Sequence, residues 1–100
     1  MCDNIIIKRG VYMVLPSRLR SFESDLYDIL DYELPASHQI VSVKATGVGY
    51  DEVKVNIVIK IGNYAIPDEE YCQEIVEQYI TNLRYDYKDF GDIHYGIQFK

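Results

Sequence analysis

Between Val53 and Ile61 the chain alternates without a break. Val53, Val55, Ile57, Ile59 and Ile61 fall on one side, and Lys54, Asn56, Val58 and Lys60 on the other. A period of two sends the two sets to opposite faces of a strand, one for a core and one for solvent. The rhythm returns near the C-terminus, where Ile93, Tyr95, Ile97 and Phe99 alternate with His94, Gly96, Gln98 and Lys100. From Ile40 to Ala45 it sets Val41, Val43 and Ala45 against Ser42 and Lys44. The turn-rich TGVGYDE that follows predicts an antiparallel hairpin with the Val53 strand. Ile5 to Leu15 is β-branched and apolar enough for a strand, but Lys8-Arg9-Gly10 interrupts it. It reads either as one strand with a glycine bulge or as a short hairpin.

Two stretches change period. After Pro16 and Ser17, the residues Leu19, Phe22, Leu26, Ile29 and Leu30 recur every three or four positions, and Pro35 ends the pattern. That spacing predicts an amphipathic helix. A second follows Pro67, with Asp68, Glu69 and Glu70 in its first turn, where carboxylates meet the positive end of the helix dipole. Its inward stripe is Cys72, Ile75, Val76, Tyr79, Ile80 and Leu83, and Arg84 suits its far end. The order strand, helix, strand, strand, helix, strand predicts an α+β fold of the ferredoxin-like, split βαβ type (βαββαβ), an antiparallel sheet with two helices on one face. Many unrelated proteins share that order, so it carries no function by itself.

Composition refines this picture more than it changes it. A chain of 100 residues, 48% hydrophobic and 26% charged, predicts one globular domain over residues 1–100. No apolar run reaches a membrane span, and MCDNIIIKRG does not read as a signal peptide, so a cytoplasmic protein with no membrane contact is expected. Cys2 and Cys72 read as free thiols.

Charge matters through its placement. The net charge is -6, which argues against a general polyanion binder. Alternation nevertheless gathers Lys44, Lys54, Asn56, Lys60, His94, Gln98 and Lys100 on the open sheet face, joined by Lys8 and Tyr12 if the first strand runs unbroken, with no Asp or Glu in those strand cores. The helices carry Glu23, Asp25, Asp28, Asp31 and Glu33, then Asp68, Glu69, Glu70, Glu74 and Glu77. Such a division is also what ordinary solvated surfaces look like.

The reading favoured by this division is a small, non-enzymatic, acidic binding protein. It would act as a stoichiometric inhibitor or regulator of the kind phages make, a nucleic-acid mimic docking on a basic surface of a partner protein. Its contact residues are expected to be Glu69, Glu70, Glu74 and Glu77, supported by Asp25, Asp28 and Asp31. Tyr71, one of ten tyrosines, adds apolar area at low entropic cost. In a second reading the basic sheet binds single-stranded nucleic acid through Lys44, Lys54, Lys60, His94, Lys100 and Tyr12; the central strand lacks the aromatic platforms such sheets use, so nucleic acid is the weaker partner. Homodimerisation through the sheet is a third reading, and a small enzyme of unknown reaction a fourth.

Specific chemistry finds little support. TGVGYD leads into a strand rather than a helix and lacks the Lys-Ser/Thr pair of a phosphate loop. Asp86, Asp89 and Asp92 miss the spacing of a calcium loop. Neither His38 nor His94 joins a serine or cysteine in a nucleophilic motif, and the thiols and imidazoles are too scattered for a zinc site. No metal or cofactor is expected.

Overall fold

The computed structural model describes residues 14–49 and 51–100. Its elements, in order, are helix α1 (Pro16–Glu33), strand β1 (His38–Gly47), strand β2 (Glu52–Ile61), helix α2 (Glu69–Leu83), a 3-10 turn at Lys88–Phe90 and strand β3 (Asp92–Phe99). The first strand expected from the sequence falls outside the described residues, apart from Val14 and Leu15, which lead into α1.

Proline opens α1, where its missing N–H costs nothing, and Leu34 leaves the helix in extended backbone, as a residue before Pro35 must. In α2, Asp68 is the N-cap rather than a first-turn residue, its carboxylate accepting the Tyr71 N–H at 3.2 Å. Glu69 and Glu70 occupy the first turn.

The three strands form one sheet in the order β1-β2-β3. β1 and β2 pair antiparallel, as the hairpin pattern predicts, but β2 and β3 pair parallel, Val53 beside Ile93 and Ile59 beside Phe99. The sheet is therefore mixed, which corrects the antiparallel expectation. The split βαβ order is not reproduced either, because it would insert the first strand between these two, and here they bond directly. A helix returning the chain across the sheet is what a parallel pair requires, and α2 is that crossover.

β1 also departs from simple alternation. Its register with β2 shifts between Ile40 and Ser42, so Val41 is an extra residue on this strand. A bulge turns the side chains by one position. Ile40 and Val43 are thus buried while Val41 is exposed, against its expected inward placement.

One hydrophobic cluster joins all the elements. Val53, Val55, Ile57 and Ile59 of β2 are essentially fully buried, with Phe22, Leu26 and Leu30 of α1 and Cys72 and Val76 of α2 packed among them. Lys54, Asn56 and Lys60, the alternate residues of β2, are exposed. Both helices therefore cover the same face of the sheet. On β3 the cover is thinner: Ile93, Tyr95, Ile97 and Phe99 are only half-buried.

Arg18 ties the start of α1 to the loop before β3. Its guanidinium grips both Asp89 carboxylate oxygens, at 2.8 and 3.2 Å, donates to the Asp86 carbonyl at 2.8 Å and lies over the Tyr87 ring. The Arg18 hydrogen bonds hold the Asp89 carboxyl below its ordinary range. The unfolded chain therefore takes up a proton at Asp89 before the folded one does. This contribution to stability is complete above about pH 5 and drains away as pH falls from there through the depressed folded value. Asp89→Asn should make the fall in melting temperature between about pH 5 and pH 2 shallower than in the parent. Superimposable profiles in a pH series of thermal melts would show that the pair contributes nothing.

Candidate functional site: two charged faces

The strand register sets out the open face row by row. Thr46, Lys54 and His94 lie side by side, then Lys44, Asn56 and Gly96, then Ser42, Val58 and Gln98. Gln39 and Lys60 follow, with Lys100 beside Lys60 through the Ile61 N–H to Lys100 carbonyl bond at 3.2 Å and the Lys100 N–H to Ile59 carbonyl bond at 2.9 Å. Lys44, Lys54, Lys60, His94 and Lys100 are all exposed there, as expected; Tyr12 lies outside the described residues. The face is not purely basic, however. β2 and β3 begin one step earlier than the alternation suggests, and their first residues, Glu52 and Asp92, are cross-strand neighbours at one end of it.

Glu52, Asp92 and His94 each offer a ligand atom within 4.8 Å of the others. The sequence hides this group, because Glu52 reads as part of a turn and only the parallel register brings it to Asp92. All three are exposed, and Lys54 is the cross-strand partner of His94. A cation there would compete with a fixed positive charge and with water, and would lack the buried partners that orient ligands at strong metal sites. Of the three aspartates considered for calcium, only Asp92 joins this group, since Asp89 is held by Arg18.

The helical face carries the opposite charge. Glu69, Glu70, Glu74 and Glu77 are all exposed, as are Asp25, Asp28, Asp31 and Tyr71. On α2, Glu70, Glu74 and Glu77 form the row opposite the buried stripe of Cys72, Val76 and Ile80. Glu69 lies to one side, with Gln73 against Tyr95, Ile97 and Phe99 of β3 in a shallow groove of about 170 Å³. Among the described residues the only ion pair within 4.0 Å is Arg18–Asp89. The outward glutamates are therefore not neutralised by the chain's own described cations.

Two acidic residues of α1 are occupied within the fold. Asp25 accepts the Tyr87 hydroxyl at 2.7 Å, and that oxygen is also 2.7 Å from the Ser21 hydroxyl. Burial is the main cause that pushes the Tyr87 phenol upward, and Asp25 adds to it. Asp25 thus anchors a buried tyrosine rather than standing free. Glu23 reaches sideways to accept the Ala45 N–H of β1 at 2.7 Å. Neither role has a sequence signature, because each partner is more than twenty residues away.

Nothing in the described structure assembles nucleophilic chemistry. His38 is 5% exposed, and its Nε2 accepts the Asp68 N–H at 3.0 Å, which leaves Nδ1 to donate to the Ser37 hydroxyl at 2.9 Å. Both nitrogens are occupied, and the Nε2 bond pins the start of α2 to β1. Cys72 is fully buried, and burial first, then the Asp68 carboxylate, push its thiol upward, away from the reactive thiolate. No helix among the described residues is long and apolar enough to cross a membrane. Compared with protein-family models, curated proteins and solved structures, the chain matches none.

Proposed function

We propose that the chain is a small, non-enzymatic binding protein that docks its acidic helical face on a basic surface of a partner protein, acting by stoichiometric occupation as an inhibitor or regulator. The carrying observation is the exposed row Glu70, Glu74 and Glu77, with Glu69 beside it and no ion pair to a described cation. Carboxylates repeated along one rigid helix offer a spaced negative pattern, which a surface built for phosphates would accept. Asp28 and Asp31 extend the pattern onto α1, and Tyr71, 43% exposed, adds a rigid apolar edge. The chain would do this in the cytoplasm. The sheet is the weaker candidate for nucleic acid, since Asn56 and Val58 give its central strand no base-stacking ring and Glu52 and Asp92 oppose phosphate at one end.

The test is parallel capture from host lysate with the parent and with variants in which Glu69, Glu70, Glu74 and Glu77 are all glutamine or all lysine, each checked for folding by circular dichroism. A partner retained by the parent should be lost by both variants, and its association rate with the glutamine variant should fall roughly tenfold or more at low salt. Equal retention by the folded glutamine variant would refute the reading. Capture of nucleic acid by the parent through its lysines would replace it with the sheet alternative.

A further inference from the structure

We infer that the outer edge of β3 is a self-pairing surface, on which a second copy of this chain adds its own β3 antiparallel about Gly96 to extend the sheet across a two-fold axis. Among the described residues β3 is an edge strand. The hydrogen bonds to β2 use its even-numbered residues: the Asp92 N–H donates to Asp51, and Lys100 donates to Ile59 while accepting from Ile61. In a parallel ladder the alternate residues then direct N–H and C=O away from that neighbour. The outward backbone groups belong to Ile93, Tyr95, Ile97 and Phe99.

An antiparallel copy centred on Gly96 satisfies four requirements at once. Ile93 meets Phe99 of the other copy and Tyr95 meets Ile97, so the residues with outward backbone groups face one another, as hydrogen-bonded antiparallel pairs must. These same four side chains are the apolar ones left half-buried on the helix side, and pairing covers them. On the open face Asp92 meets Lys100, so each end of the pair joins opposite charges, and His94 meets Gln98. On the axis Gly96 meets itself at a non-hydrogen-bonded position, where backbones approach to about 4.5 Å. A shift by one residue would set the outward groups against strand positions that bond to β2, and a shift by two would break the Asp92–Lys100 match. The pairing uses β3 backbone groups and no α2 glutamate, although Glu69 borders the groove over Tyr95, Ile97 and Phe99, so it does not depend on the partner-binding reading.

Sedimentation velocity on the full chain, over roughly 1 µM to 1 mM, reads the equilibrium directly. The parent should pass from monomer to dimer with concentration. Gly96→Lys is the sharpest variant: a Cβ there would meet nothing closer than the Asn56 side-chain oxygen at 4.0 Å, so the monomer keeps its fold, yet two ammonium groups would then face each other on the axis. Its dimer should be about tenfold weaker or more. Asp92→Lys and Lys100→Asp should each weaken the dimer several-fold, and the double exchange should restore it. Amide exchange at Ile93, Tyr95, Ile97 and Phe99 should be fast in dilute protein and slow in concentrated protein. A parent that stays monomeric over the whole range, a Gly96→Lys variant that pairs like the parent, or edge amides protected in the monomer because the chain's own residues cover them would each overturn the inference.

Discussion

Phe22→Ala should remove about 3–5 kcal/mol of stability, the range found when a large aromatic is deleted from a core. Small domains hold roughly 5–15 kcal/mol in total, so the variant should be largely unfolded in mild denaturant where the parent is intact. The size of the effect follows from the place of Phe22, which is fully buried where α1 meets the loop before β3. Its ring packs edge-on against Tyr87 at 5.2 Å and tilted against Phe90 at 5.2 Å, and those two rings are 5.0 Å apart. Deletion therefore strips two aromatic contacts and leaves a void among residues pinned on the other side. Tyr87 is held by Asp25 and Arg18, and Phe90 by the turn it ends, so neither can collapse into the gap. Urea denaturation should show a lower midpoint with an unchanged slope. A loss under about 1 kcal/mol would show that the three rings do not hold α1 to the loop before β3.

Gly91→Ala should be the next most damaging change, about 3 kcal/mol or more, although it adds only a methyl group. Two costs combine. Gly91 has φ of 68° and ψ of -129°, a backbone region that residues with a side chain hardly populate and that costs them roughly 1–3 kcal/mol. A Cβ at this position would also overlap the Asp51 carbonyl and Cβ. That overlap cannot be relieved locally, because the same carbonyl accepts the Asp92 N–H at 2.9 Å and so starts the parallel ladder between β2 and β3. Moving one strand start away from the other breaks the bond, while leaving them in place keeps the clash. Gly49→Ala is the control for the steric part, at a positive φ of 77° with nothing within 4 Å of an added Cβ. It should lose only the backbone cost. Thermal melts of the pair that agree within error would remove the steric part of the explanation.

Strict periodicity made most of this architecture legible. Val53 to Ile61 alternates cleanly, and the structure buries and exposes those residues as the alternation says. Both helices follow their apolar spacing; α1 opens at Pro16 and ends before Pro35, and α2 begins after Pro67. The failures occur where a pattern is local and its cause is not. Val41 looked inward because alternation cannot reveal a bulge, which appears only when β1 is laid against β2. The parallel pairing of β3 was hidden because one strand's pattern is the same whichever way its neighbour runs. On the open sheet face the alternation places Lys44, Lys54, Lys60, His94 and Lys100 where the structure exposes them, but it does not reveal Glu52 and Asp92 at the end, since strand boundaries blur into turns. Asp25 was expected among free surface carboxylates, and the partner that removes it, Tyr87, is 62 positions away.

The Glu23 carboxylate on the Ala45 N–H has a consequence for growth. Sheets with two open borders can add copies without end, and such strands seed fibres. Here α1 packs along β1 and fills one of its outward donors with a charged side chain, so a third molecule arriving at that border meets an occupied donor and a helix. Among the described residues this leaves β3 as the border without such an occupant, so a copy that pairs there as inferred brings with it a far border at which Glu23 again fills the Ala45 donor, a feature that works against open-ended growth.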